Sequence, residues 1–252
     1  MKRKLLLVLA VILLLGGIGV FLYPSFKTAI FQQAEKGTIR QFEQYRSTAP
    51  IATAVAPDPS DPDNPEETAT AEAERIFPEL WDACVAYNSD LVQTQRETFS
   101  AEAWKKAPII LSDYGWEQEV FGYVSIPSAD IEAPLYLGGS MSNLSKGAAI
   151  LGQTSMPIGG ESSNCVIAGH RTWNAILHPF VGLEKVDVGD LVYLTNPWET
   201  LTYRVVEKEI IYPDNSDKVR IQEGRDLISI FTCTYPNTRR VLVTCERIIE
   251  EE

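Results

Sequence analysis

Apolar and polar positions divide the chain into a long apolar run, a helical stretch, a polar gap and a β-patterned body. Residues 5–23 are nineteen consecutive positions without a charge. At 1.5 Å per residue such a helix spans about 28 Å, close to the ~30 Å hydrocarbon core of a bilayer. The run predicts one transmembrane helix. Residues 26–45 carry Ile30, Phe31, Ala34, Ile39 and Phe42 at a loose helical period interrupted at Gly37, which predicts a helix leaving the span. Residues 47–74 hold Pro50, Pro57, Pro59, Pro62 and Pro65 among Asp and Glu and predict a solvated acidic linker. In residues 71–91, Ile76, Leu80, Ala83, Cys84 and Tyr87 fall on one helical face, with Pro78 in the first turn of the better half. Cys84 then reads as a small core residue.

From about Val120 the period changes. Short β-type runs, divided by Gly, Pro, Asn and Asp, fall at 123–126, 135–137, 149–151, 165–168, 191–194, 201–206, 209–212, 227–231 and 241–247. Leu201, Tyr203 and Val205 alternate with polar residues, as a half-exposed strand does. Residues 227–231 are almost continuously apolar, as in a central strand buried on both faces. Many short strands and few helices predict a mainly β fold, a closed barrel or sandwich of about eight strands. The expected organisation is therefore basic residues and a span at 1–25, a juxtamembrane helix and linker at 26–75, an N-terminal helix with a candidate lid region at 76–119, and a β-domain at 120–252.

Charge fixes the compartment and removes some partners. Lys2, Arg3 and Lys4 precede the apolar run, which orients the N-terminus to the cytoplasm and the body outward. No A-x-A cleavage site follows in residues 24–30, so an uncleaved signal-anchor is the favoured reading over a cleaved signal peptide. Beyond those three cations, 19 basic residues remain against 34 acidic ones, a balance of −15. Such a body repels nucleic acid and anionic lipid. Cys84, Cys165, Cys233 and Cys245 show no CxxC or metal-ligand spacing, and His170 and His178 are the two histidines. Neither a metal nor an organic cofactor is expected. Cys165 and Cys245 fall inside predicted strands and read as buried core residues.

Cys233 lies two residues past the apolar strand 227–231, and a turn returns the chain through Arg239 and Arg240 into strand 241–247. At an ordinary pKa only about 3% of a thiol is thiolate at pH 7. A nearby guanidinium raises that fraction or donates to a developing oxyanion. His170 ends the strand 165–168, where a loop can present it, and imidazole titrates in the range needed to protonate a leaving amine. His178 sits in a loop beside Pro179 without that context. By residue type alone each of these has a plain structural use: a buried or paired cysteine, a surface histidine, a solvated arginine.

The wording around them resembles the sortase family. Phe231-Thr232-Cys233-Thr234 followed by Asn237-Thr238-Arg239-Arg240-Val241-Leu242-Val243 is similar to its T-C-T…N-T-x-R-L-L-V signature, and Ile167-Ala168-Gly169-His170-Arg171 to V-I-x-G-H-R. Gly152-Gln153-Thr154-Ser155-Met156-Pro157-Ile158-Gly159-Gly160 and Gly122-Tyr123-Val124-Ser125-Ile126-Pro127 are most like segments of class C, the pilus-building class. The resemblance covers about residues 80–249. It implies a closed eight-stranded sortase-type barrel, with N-terminal helices and one transmembrane helix. It implies His170, Cys233 and Arg240 as catalytic residues, with Arg240 preferred to Arg239 by its place in N-T-x-R, and Thr232, Thr234, Tyr235 and Asn237 as substrate-binding residues.

The implied activity is a cysteine transpeptidase cleaving an LPxTG-like sorting signal between Thr and Gly. Its partners would be pilin or surface proteins bearing that signal, and an amine from a pilin lysine or a cell-wall precursor. The implied place is a single-pass anchor in a Gram-positive cell membrane, facing the wall. A housekeeping sortase that anchors surface proteins to peptidoglycan is the alternative within the family. Outside it stand another envelope cysteine enzyme, such as an L,D-transpeptidase or a peptidase, and a non-catalytic membrane-tethered β-domain for adhesion or scaffolding. The pilus class usually carries an Asp-Pro-aromatic lid before the first strand; residues 91–116 have none. Phe99, Trp104 and Trp116 are the aromatic substitutes there, with core packing as their simpler use.

Overall fold

The computed structural model describes residues 2–50, 75–98, 100, 102–173, 176–236 and 238–249. The expected linker at 47–74 falls almost wholly outside them. Helix α1 (Lys2–Thr48) is followed by α2 (Pro78–Thr98) and a short α3 (Met141–Leu144). The strands are β1 (Val120–Ile126), β2 (Ile131–Leu137), β3 (Ala148–Ile150), β4 (Ser163–Gly169), β5 (Thr172–Trp173), β6 (Ile176–Leu177), β7 (Leu191–Thr195), β8 (Thr200–Ile211), β9 (Asp226–Cys233) and β10 (Arg240–Arg247). Eight of them close a barrel in the order β1-β2-β3-β4-β9-β10-β8-β7, while β5 and β6 form a separate hairpin. The mainly β, eight-stranded expectation is thus met.

Two expectations change in detail. The two predicted strands at 201–206 and 209–212 are one twelve-residue strand. Opposite it, β10 pairs Thr244 with Glu207 and Cys245 with Val205, so Val206 is bulged out and the polar interruption is absorbed without ending the strand. The apolar run and the following helix are likewise continuous through Pro24. An interior proline costs a helix about 3 kcal/mol. Beyond it, Ile39 and Phe42 are buried on one face of α1 against the barrel, which offsets that cost. Before it, Leu6 to Tyr23 leave their large apolar side chains exposed. One helix in the described residues, near the N-terminus, is long and apolar enough to cross a membrane.

Side-chain alternation decides what each face of the central strands does. Cys165 and Ile167 of β4, Ile228 and Ile230 of β9, and Val241, Val243 and Cys245 of β10 point into the barrel core. Val166 and Ala168, Phe231, and Leu242 of the same strands point outward into a second apolar cluster that Trp104 and Leu144 cover. This is why 227–231 reads as almost continuously apolar: both of its faces are buried.

Candidate active site

The outward face carries the three candidate residues. His170 lies two residues beyond Ala168, Cys233 two beyond Phe231, and Arg240 two before Leu242. Period 2 therefore places all three on the face of the second cluster. Strands β4 and β9 run parallel, with Ala168 opposite Phe231, so they end together. Strand β10 runs antiparallel to β9 and starts at that end, with Arg240 directly opposite Cys233. The central strand thus holds the thiol between the imidazole and the guanidinium. A buried hydrogen bond of 2.8 Å from the Thr232 hydroxyl to the Gly169 carbonyl ties the two parallel strand ends together.

These residues line a cavity of about 420 Å³ together with Trp104, Leu144, Leu151, Pro213 and Asp214. That size suits a short peptide segment, within the usual ~300–1,000 Å³ range. Trp104 and Lys105, from the turn Ala103–Lys105, form part of its wall. The Trp104 carbonyl accepts from the amides of Gly139 (2.8 Å) and Gly152 (3.1 Å). A Cβ on Gly152 would lie 2.3 Å from the Ala103 oxygen, so the turn can seat there only against glycine.

Arg240 stacks its guanidinium 4.8 Å above the Phe231 ring. Burial presses its pKa down, while the facing Cys233 sulfur favours its charge. Arg239 points elsewhere: its guanidinium lies over the Tyr212 ring at 5.0 Å and donates to the Tyr212 hydroxyl at 3.3 Å. Burial also holds His170 below the ordinary imidazole range.

The other candidate residues take different places around this face. Thr232 lines the cavity but commits its hydroxyl to Gly169. The Thr234 hydroxyl donates to the Arg239 carbonyl (3.2 Å) and accepts from the Arg239 amide (3.3 Å), closing the hairpin. Tyr235 is 85% exposed at the tip of that turn, and Asn237 lies outside the described residues. Among the aromatic substitutes for a lid, Trp104 lines the cavity. Trp116 is a core residue instead, packed on Phe42 at 5.9 Å with its indole donating to the Val120 carbonyl at 3.0 Å. Phe99 lies outside the described residues. His178, read as a loop residue without context, is 2% exposed and packs edge-on against His170. Its apolar surroundings, Ile176, Leu177 and Phe180, were the signal available in the sequence.

A closed eight-stranded barrel with a thiol, an imidazole and a guanidinium at one end defines a thiol-centred candidate site. Comparison with known proteins agrees. A family model described as the sortase domain matches residues 124–248. The pilus-related sortase C of Group B Streptococcus is 31% identical, the match covering 69% of this chain and 89% of that one at a TM-score of 0.59. Sortase C of Streptococcus pneumoniae is 29% identical over 85% of this chain and 97% of that one, with a TM-score of 0.64. Sortase A of Streptococcus agalactiae is 28% identical over 131 residues, 50% of this chain and 52% of that protein. The chain spans about half the length of the curated relatives it matches. The chain belongs to the sortase family.

Proposed function

We propose that the chain is a cysteine transpeptidase that cleaves an LPxTG-like sorting signal between Thr and Gly and transfers the acyl product to an amine. The observation that carries this is the meeting of Cys233, His170 and Arg240 on one outward face beside a peptide-sized cavity. The Cys233 thiolate attacks the Thr carbonyl, and Arg240 donates to the oxyanion that forms. His170 gives its proton to the departing Gly amine as the C–N bond breaks, leaving a thioester on the sulfur. An incoming amine attacks that thioester and loses a proton to His170. The new amide forms and the thiolate leaves.

The likeness to the pilus-related sortase C of Group B Streptococcus and to the Streptococcus pneumoniae sortase C favours a pilin lysine as the amine, making an isopeptide bond. The curated relatives are sortase A proteins and favour the second reading, a cell-wall precursor amine. The basic residues before the apolar run favour a barrel on the outer side of the membrane, where both amines occur. Trp104 and its turn are the candidate lid, since they wall the cavity without an Asp-Pro-aromatic motif. Thr232 shapes the groove through its place in the wall, and Thr234, Tyr235 and Asn237 through the turn that ends it.

The full chain in detergent, mixed with a sorting peptide, is expected to gain the mass of the acyl fragment, and Cys233→Ala to gain none. Acylation persisting in that variant would remove the assignment. Competing a lysine-bearing pilin segment against wall-type amines then reads which acceptor resolves the thioester.

A further inference from the structure

The second histidine joins the site to the N-terminal helix. The His178 amide donates to the Arg171 carbonyl at 3.1 Å, closing the loop that starts at His170. Its ring meets His170 nearly perpendicular, 80°, with centroids 5.8 Å apart. On another side it meets Phe31 of α1, centroids 4.3 Å apart. The Leu177 amide donates to the Thr28 hydroxyl at 3.3 Å, so α1 grips the neighbouring residue too. Thr28 and Phe31 are three residues apart, hence on one helix face. Packed contact therefore runs from α1 through His178 to the imidazole at the cavity.

We propose that His178 is a positioning residue: clamped by Phe31 of α1, its ring holds the His170 imidazole in place, so that docking of the helix leaving the apolar span sets the competence of the site. The clamp rests on the sortase reading only for what that competence is. His178 acts as a ring and not as a proton carrier. Its Nε2 has no hydrogen-bond partner among the described residues. Burial, and then the His170 charge, press its pKa down to about 4. Burial therefore favours the uncharged ring. The charged and titratable groups on the surrounding elements are the Arg171–Glu184 pair, Lys185, Cys233, Arg240, and Lys27 of α1, which lies over the Tyr23 ring.

The chain has two histidines, so histidine-selective NMR of the full chain in detergent reads both rings directly. Losing the clamp exposes His170 to water. Phe31→Ala and His178→Ala are therefore expected to raise the His170 pKa toward its ordinary value. They should also lower kcat for a sorting peptide about tenfold, part of the ~10²–10⁴ a placed acid–base group supplies, with KM within about twofold. His178→Phe keeps the ring and should keep both properties. Native protection of the Cys84 thiol checks that each variant is folded. The clamp is overturned if folded Phe31→Ala and His178→Ala titrate and turn over like the unaltered chain, or if His178→Phe fails as His178→Ala does. A chain that shows these titration shifts but never acylates supports the clamp and refutes the transpeptidase reading.

Discussion

The two faces of β4, β9 and β10 are built from neighbouring residues and do opposite work. Inward, Cys165 and Cys245 sit among Ile167, Ile230 and Val243, 2% and 0% exposed. Outward, Cys233 stands at a strand end over Phe231, beside Arg240 and the cavity. All four thiols of the chain are free. Residue type is the same, and parity along the strand with distance from its end makes the difference. Inward burial disfavours the thiolate and pushes the Cys165 and Cys245 thiols up. The outward end has a cation across the hairpin.

The sharpest way to break this contrast is at the adjacent arginines. Arg240 shares the outward face with Cys233; Arg239 is turned to Tyr212. Losing an oxyanion donor costs on the order of 10²–10³ in kcat, about 2.7–4 kcal/mol. Arg240→Ala should lose that much and Arg239→Ala less than about threefold, since exposed cation contacts are worth about 0.5–1 kcal/mol. Equal losses from peptide kinetics would mean that parity does not select the donor. A step smaller, Cys245→Ser puts an unpaired hydroxyl inside the barrel and should cost about 1–3 kcal/mol in urea unfolding, with turnover kept. Cys233→Ser should do the reverse, abolishing turnover while stability moves by no more than about 0.5 kcal/mol.

Much of this layout was legible in the chain itself. Alternation marked Leu201, Tyr203 and Val205 as a half-exposed strand, and the almost continuously apolar run 227–231 marked β9 as buried on both faces. The candidate site was legible by motif wording rather than by spacing, because a cysteine, a histidine and two arginines near strand ends are each common. What stayed hidden depends on contacts distant in sequence. The burial of His178 comes in part from Phe31, and that of Trp116 from Phe42, both on α1. No local period can report such a neighbour. The merged β8 was hidden for a different reason: a bulge at Val206 lets a strand pass a polar interruption that usually ends one.

The smallest expected effect tests the inward face alone. Burial pushes the Cys84 thiol up to about 12, and Cys245 is raised from an ordinary value near 9 by the same cause. The folded chain therefore holds these protons at a pH where the unfolded chain has released them. With fewer protons bound in the unfolded state, stability falls as pH rises. The contribution is absent below about pH 9 and grows above it, by at most about 1.4 kcal/mol per thiol per pH unit. Tyrosine and lysine titrate in the same window, so a single curve does not isolate the thiols. The difference between chains does. Cys245→Ala creates a small cavity and is destabilising at pH 7. It also removes one alkaline liability, so its deficit against the unaltered chain should shrink steadily between pH 9 and 11. Chemical unfolding at stepped pH measures this. A deficit independent of pH would mean that the Cys245 sulfur is not held as a thiol by its surroundings, and the contrast between the two faces would then rest on geometry alone.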